Sequence, residues 1–188
     1  RFIYVRHDEN KGVSEARNTG VLKATGDYIL FLDPDDTYEQ HLLQVIASSL
    51  SRNPVDLLVY SFSEDYRNSS TGKIEYTRNI TLADMDYDDD MLSTNDAVTI
   101  HRLAMQMESV TMLGYPWNKA YKADIIKKHS LHFQKIKHVE DILFNCDFLD
   151  HTESLTILND VLYHYRNQGQ VRLTGGDIDD YFELQKIR

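Results

Sequence analysis

Asp33-Pro34-Asp35-Asp36 stands at the end of the most apolar run of the chain, Tyr28 to Leu32. In extended backbone the side chains of Asp33 and Asp35 project to one side and can face a single ligand. Pro34 has a fixed φ and biases Asp33 away from the helical region, which holds the pair in that form. Converging carboxylates repel one another unless a cation neutralises them. A hard divalent ion, Mn2+ or Mg2+, is therefore the natural third party. The competing reading is an acid-rich helix start in which Asp36 or Thr37 merely caps. An EF-hand loop fails on the letters: counted from Asp33, position 5 is Thr37, position 6 is Tyr38 instead of glycine, and position 12 is Gln44 instead of glutamate.

A second constellation, Asn10-Lys11-Gly12-Val13-Ser14-Glu15-Ala16-Arg17-Asn18, reads as a turn feeding a helix. Its amides and the Arg17 guanidinium could hold a phosphate or a planar base. Read alone, Arg17 on the first turns of a helix is equally a surface residue.

The elements around these motifs alternate strand and helix. Phe2 to Val5 reads as a short strand with no turn before it and no initiating methionine, so an N-terminal segment is expected to be missing. Ser14 is the expected N-cap of a helix with apolar positions Val13, Ala16, Val21 and Ala24, stopped by Gly26. Tyr28 to Leu32 is the pattern of a strand buried on both faces. Thr37 with Gln40 forms a capping box before the helix Leu42 to Leu50. Asp56 to Phe62 is a strand, Tyr66 to Lys73 a turn, and Ile74 to Ile80 the returning arm of a hairpin. Asp84 to Asp90 carries no periodicity and reads as a solvated loop, with cation binding as the alternative. Helices are expected over Thr94 to Glu108, Lys122 to His129 and Val139 to Leu149, a strand over Leu155 to Tyr165, and a last helix over Tyr181 to Arg188. Strands interleaved with helices give an α/β class.

Composition narrows the partners. The 188 residues, 41% of them hydrophobic, suffice for one core, so residues 1–188 read as a single domain. Lys and Arg number 20 against 30 Asp and Glu, a net charge of −10, and no basic stripe is present to bind nucleic acid. No apolar run approaches the ~20 residues of a transmembrane segment. The single cysteine, Cys146, can form no internal disulfide, which fits a reducing compartment.

The runs N-K-G-V-S-E-A-R-N-T-G and A-T-G-D-Y-I-L-F-L-D-P-D-D resemble family 2 glycosyltransferases. P-W-N-K-A-Y-K at Pro116 to Lys122, V-E-D-I-L-F at Val139 to Phe144 and Y-H-Y-R at Tyr163 to Arg166 resemble the family's later blocks in order. The resemblance implies the GT-A fold, a Rossmann-like mixed sheet flanked by helices, here lacking its first strand and turn, V-S-I-I-P-x-Y-N. It implies inverting, metal-dependent transfer of a sugar from a nucleotide-diphosphate donor, UDP above all, to a carbohydrate or lipid-linked acceptor. Bacterial-type surface polysaccharide or glycolipid would be the product. A cytoplasmic location, peripheral at the inner face of the cell membrane, follows from the same resemblance.

By the same resemblance Asp33 and Asp35 match the D-x-D motif, with Asp35 the direct metal ligand and Asp33 nearer the nucleotide. Asn10 and Arg17 match nucleotide contacts, and Asp141, second acid of the E-D pair, matches the catalytic base. Glu140 and Asp141 stand in the first turn of an expected helix, whose positive end favours the ionised carboxylate a base must be. Acids at helix starts are equally common as plain dipole partners. Trp117 and Lys119 are candidates for the acceptor pocket, since an indole face suits a sugar ring, and Trp117 is equally a core residue. His164 and Arg166 are candidates near the diphosphate or the metal, with structural roles as the alternative. Beyond Arg166 the family often carries a small hydroxyl residue where this chain has Gln170-Val171. Two rivals remain at this level: a non-catalytic sugar-nucleotide-binding domain of the same fold, which would have no need of Asp141, and a nucleotidyltransferase, which would want a glycine- and lysine-rich N-terminal loop.

Overall fold

The computed structural model describes residues 2–68, 70–136 and 138–167. Its spine is a parallel pair, β3 (Leu57–Arg67) and β7 (Leu155–Asn167), in register from Leu57 opposite Leu155 to Tyr66 opposite Asn167. The first nine residues of β3 are buried, as expected of a strand covered on both faces. On its other edge β3 pairs first with antiparallel β6 (Lys119–Lys122) and then, from Phe62 onward, with β4 (Ile74–Ile80). The free edge of β7 is shared in the same way, by β5 (Met91–Thr94) along Leu155 to Leu158 and by β2 (Thr37–Tyr38) at Tyr163 and His164. Between those two halves the β3–β7 register shifts at Tyr60, Ser61 and Phe62. β1 (Tyr28–Leu30) closes the sheet on β6, giving the order β1-β6-β3-β7-β2.

Among the described residues five α-helices flank the sheet: α1 (Val13–Lys23), α2 (Leu42–Arg52), α3 (Ala97–Ser109), α4 (Ala123–His129) and α5 (Glu140–Leu149). In α3, Ile100, Leu103 and Met107 share one buried face, and the Asp96 side chain accepts from the Thr99 N–H at 2.8 Å. One aromatic cluster, Phe31, Tyr121, Phe133 and Phe144, joins β1, β6 and α5 edge to face, with Phe133 and Phe144 stacked at 4.0 Å. Among the described residues no helix is long and apolar enough to cross a membrane.

The structure corrects several expectations. Phe2 to Val5 forms no strand and lies exposed, because no strand among the described residues pairs with it. β1 is an edge strand, so only Ile29 and Phe31 are buried while Leu32 is 50% exposed. Ser14 lies inside α1, whose N-cap is Gly12. Gly26 lies two residues beyond the C-cap Ala24, at an ordinary φ. Thr37 and Tyr38 pair with His164 and Tyr163 instead of capping a helix, and α2 begins only at Leu42 behind His41. Tyr66 belongs to β3, held there by stacking on Tyr76 at 4.2 Å. In the acidic stretch Asp84 accepts from the Thr81 N–H at 2.8 Å and Asp88 to Asp90 lie at the surface. The helix expected over Tyr181 to Arg188 and the departure at Gln170-Val171 lie outside the described residues.

Candidate active site

The inward face of α1 is polar. Gly12 sits at φ 85, a conformation an L side chain rarely adopts, and it launches the helix. Positions Ser14, Arg17 and Asn18 then fall on one side at helical spacing. Ser14 donates to the Gln134 carbonyl at 3.0 Å, and Asn18 both donates to the Phe133 carbonyl at 2.9 Å and accepts from its N–H at 2.8 Å. Arg17, between them, sends one guanidinium nitrogen to Asp33 Oδ1 at 3.0 Å and another to Asp141 Oδ1. Burial works against the Arg17 cation, but Asp141 and Asp33 outweigh it and hold the guanidinium more firmly protonated than usual. The Phe133 ring lies 5.2 Å from the guanidinium carbon. Arg17 is thus a half-buried bridge and not a surface residue.

Asp33 to Asp36 form a turn closed by the Asp36 N–H on the Asp33 carbonyl at 3.2 Å. The extended pleat expected to align Asp33 with Asp35 is therefore absent: Asp33 turns to Arg17, and Asp35 is exposed on the turn. Asp36 is the anchor of this turn. Its carboxylate accepts from the Tyr163 hydroxyl at 2.7 Å and from the Arg166 N–H at 2.7 Å, and the Tyr163 oxygen in turn accepts from the Asp33 N–H at 3.3 Å. Burial pushes the Asp36 carboxyl up to about 6, against the pull of those two donors.

Glu140 and Asp141 open α5, with the N-cap Val139 preceded by His138 at φ 80. Burial pushes the Asp141 carboxyl up to about 6; Arg17 opposes this, while Glu140 and Asp33 reinforce it. Asp141 and Glu140 share a cleft of about 910 Å3 with Asp35, Tyr115 and Tyr165. Two of its lining residues, Thr111 at φ 65 and His138, are non-glycines in left-handed backbone. Such outliers cost on the order of 1–3 kcal/mol each and concentrate where a site is held to a fixed shape.

The remaining sequence candidates lie elsewhere. Asn10 accepts from the Gly12 N–H at 3.0 Å and lines a separate hollow of about 770 Å3 between the 3–7 segment and α1. Trp117 is 1% exposed, sandwiched in the core with its ring 4.1 Å from Tyr163, so it offers no face to a sugar. Lys119 is fully buried, its ammonium donating to the carbonyls of Met112 and Tyr115 and to Asn118 Oδ1, so it reaches neither acceptor nor diphosphate. Burial pushes its pKa well below the usual lysine value, with Asp141 and Glu108 acting the other way. His164 alternates with Tyr163 and Tyr165 on β7 and points away from the cleft, toward Ser63 Oγ at 2.8 Å and Glu39 Oε1 at 2.8 Å. Arg166 supports the aspartate turn through its main-chain N–H. Sequence reasoning gave Asp36 as a cap and passed over Tyr163, Tyr115 and Tyr165; the Y-x-Y alternation of a half-buried strand was the available signal for the last strand's pair.

For a divalent cation the donor set can be tested directly. Among the described residues no three acid, histidine or cysteine side chains gather as a protein cage. Mg2+ and Mn2+ sites at phosphates are commonly completed by one or two carboxylates plus the substrate itself, and the exposed Asp35 carboxylate fits that kind, while Asp33 is engaged by Arg17.

A mixed sheet flanked by helices is the GT-A arrangement. The chain belongs to glycosyl transferase family 2, whose family model matches residues 1–129. It is 29% identical over 168 residues to the uncharacterized glycosyltransferase EpsJ of Bacillus subtilis, covering 87% of this chain and 44% of that protein. It is 31% identical over 172 residues to the glycosyltransferase GlyA of Streptococcus pneumoniae, covering 88% and 22%. In structure it resembles S. aureus TarS 1–349 in complex with UDP-GlcNAc, with a TM-score of 0.68 at 17% identity over 94% of this chain and 45% of that one. The chain thus spans less than half the length of these relatives.

Proposed function

We propose that this chain carries the donor turn and the catalytic base of an inverting transferase that moves a sugar from a UDP-sugar to a hydroxyl acceptor. One observation carries the reading: Arg17 joins Asp33 of the aspartate turn to Asp141, so base and donor loop meet across a single guanidinium. Asp141, raised to about 6, is still ionised roughly tenfold over its acid form at pH 7 and remains basic enough to accept a hydroxyl proton as attack begins. The acceptor oxygen would approach the anomeric carbon from the face opposite the diphosphate, which inverts configuration. Asp33, with Arg17, is assigned to the donor side, and Asn10 lies apart from them in the hollow beside α1. Asp35 would hold Mn2+ or Mg2+. Such an ion supplies positive charge to the diphosphate as it leaves. The reading draws support from the glycosyltransferases to which the chain is similar and from the UDP and UDP-GlcNAc held by the TarS structures.

Titration calorimetry of UDP with the full-length protein, with Mn2+ and with chelator, tests it. Binding that strengthens with Mn2+ is the expected result. Equal affinities in both would remove the metal, and absence of UDP binding would remove the donor assignment.

A further inference from the structure

The wall of the cleft opposite the acid pair is built with unusual care. Four successive carbonyls, Met112 through Tyr115, are all tied to buried side-chain donors: Met112 to Asn118 at 3.0 Å and Lys119 at 2.9 Å, Leu113 and Gly114 to Asn145 at 2.7 and 3.1 Å, and Tyr115 to Lys119. Burying an ammonium to fasten a loop is costly, and the adjoining Thr111 is held in left-handed backbone as well. Thr111, Gly114 and the half-buried Tyr115 of this loop line the cleft, and Tyr115 brings it an aromatic ring. Tyr165, from β7, stands beside it, with ring centroids 5.9 Å apart and planes 29° apart. Both rings stack on the buried Trp117, at 4.5 and 5.7 Å, and Trp117 stacks on Tyr163. The two tyrosines are therefore the cleft-facing members of a stack rooted in the core, and little rotamer freedom is left for a ligand to remove.

Charge narrows what can lie there. Among the described lining residues Asp35, Glu108, Glu140 and Asp141 outnumber the lysines Lys11 and Lys135, so a polyanionic chain would meet net repulsion. An uncharged ligand with an apolar face and hydroxyls at its edge suits both the rings and the acids.

We propose that Tyr115 and Tyr165 form the acceptor platform, on which a neutral sugar ring stacks so that its hydroxyl meets Asp141. This rests on the transferase reading, and it assigns the acceptor to carbohydrate with an uncharged ring instead of a polyol phosphate. The test uses the full-length protein with UDP and MnCl2, titrated with neutral gluco-, galacto- and N-acetylhexosamine oligosaccharides and, in a second arm, with an oligomeric polyol phosphate. A neutral oligosaccharide should bind, Tyr115→Ala and Tyr165→Ala should each weaken it about 5- to 10-fold, and Tyr115→Phe should retain it, with UDP affinity unchanged throughout. Tyr115→Leu, which keeps apolar volume without the ring, serves if Tyr115→Ala does not fold. Unchanged sugar affinity in the ring-removing variants, binding of the polyol phosphate in preference to every neutral sugar, or no neutral sugar bound by protein that binds UDP would each overturn the proposal. A wild-type protein that binds no UDP would instead sink the transferase reading, and the platform with it.

Discussion

Removing the Arg17 charge should move the acid limb of the pH–rate profile upward. In the native chain burial raises the Asp141 carboxyl to about 6, and Arg17 is the group that opposes burial. With Arg17→Ala, Glu140 and Asp33 act on Asp141 unopposed, and loss of an opposite charge in contact is worth roughly 1–3 pH units. Stability follows the same linkage. A carboxyl raised from 3.8 to about 6 by folding favours the protonated native state, so its contribution is most favourable below 3.8 and is lost as pH rises through 6. The loss amounts to roughly 3 kcal/mol for the native shift, and the variant should extend it to higher pH. Arg17→Ala also strands two carboxylates whose side chains are 27% and 28% exposed, so the 3–5 kcal/mol typical of a broken buried pair should be discounted to about 1–3 kcal/mol. UDP release from the full-length protein, followed as kcat/KM from pH 5 to 9 beside melting curves, reads both effects. The wild type should rise through about pH 6 and level off. Arg17→Ala should rise at least a unit later and melt several degrees earlier at pH 8 than the wild type, with a smaller gap at pH 5. Arg17→Lys should lie between them. Coincident acid limbs in wild type and Arg17→Ala would refute the coupling of Arg17 to the base.

Asp35→Ala should abolish the Mn2+ dependence of UDP binding measured by calorimetry while leaving the melting temperature within a degree or two, since Asp35 is exposed. Asp36→Ala removes the shared acceptor of the Tyr163 hydroxyl and the Arg166 N–H, and should cost about 1–3 kcal/mol in chemical denaturation while raising the donor KM. Tyr163→Phe should reproduce a smaller part of both effects, because the Arg166 N–H still holds the turn.

Long apolar runs and helical spacing made the spine legible: β3, β7 and helices α2 to α5 all carry it. β6 was hidden because its sequence, Lys-Ala-Tyr-Lys, opens on a lysine that is fully buried, and lysine ordinarily marks a surface. β5, four residues beside an acid run, has too little pattern to register. Local chemistry misled at Ser14 and Thr37, where a cap was expected but a carbonyl partner 120 residues away and a strand 127 residues away prevailed. Asp33 to Asp36 stood out at the end of an apolar run, though as an extended pair and not as a turn, and the Glu140-Asp141 pair was marked by the family resemblance. Their junction was not legible, since Arg17 lies 16 residues from Asp33 and 124 from Asp141, and only the fold brings the three together. Trp117 attracted the acceptor role because a lone indole is conspicuous, whereas the stack buries it and leaves Tyr115 and Tyr165 at the cleft.

On the proposed reading Asp141 is the base of a sugar transfer whose donor is held elsewhere in the site. Transfer from a UDP-sugar by the full-length protein, measured as single-turnover rate for wild type and Asp141→Asn with UDP affinity measured in parallel, tests it most directly. The Asp141→Asn rate should be lower by about 10² to 10⁴-fold, with UDP affinity within a few-fold of wild type. Transfer at an undiminished rate in a folded Asp141→Asn protein would contradict it.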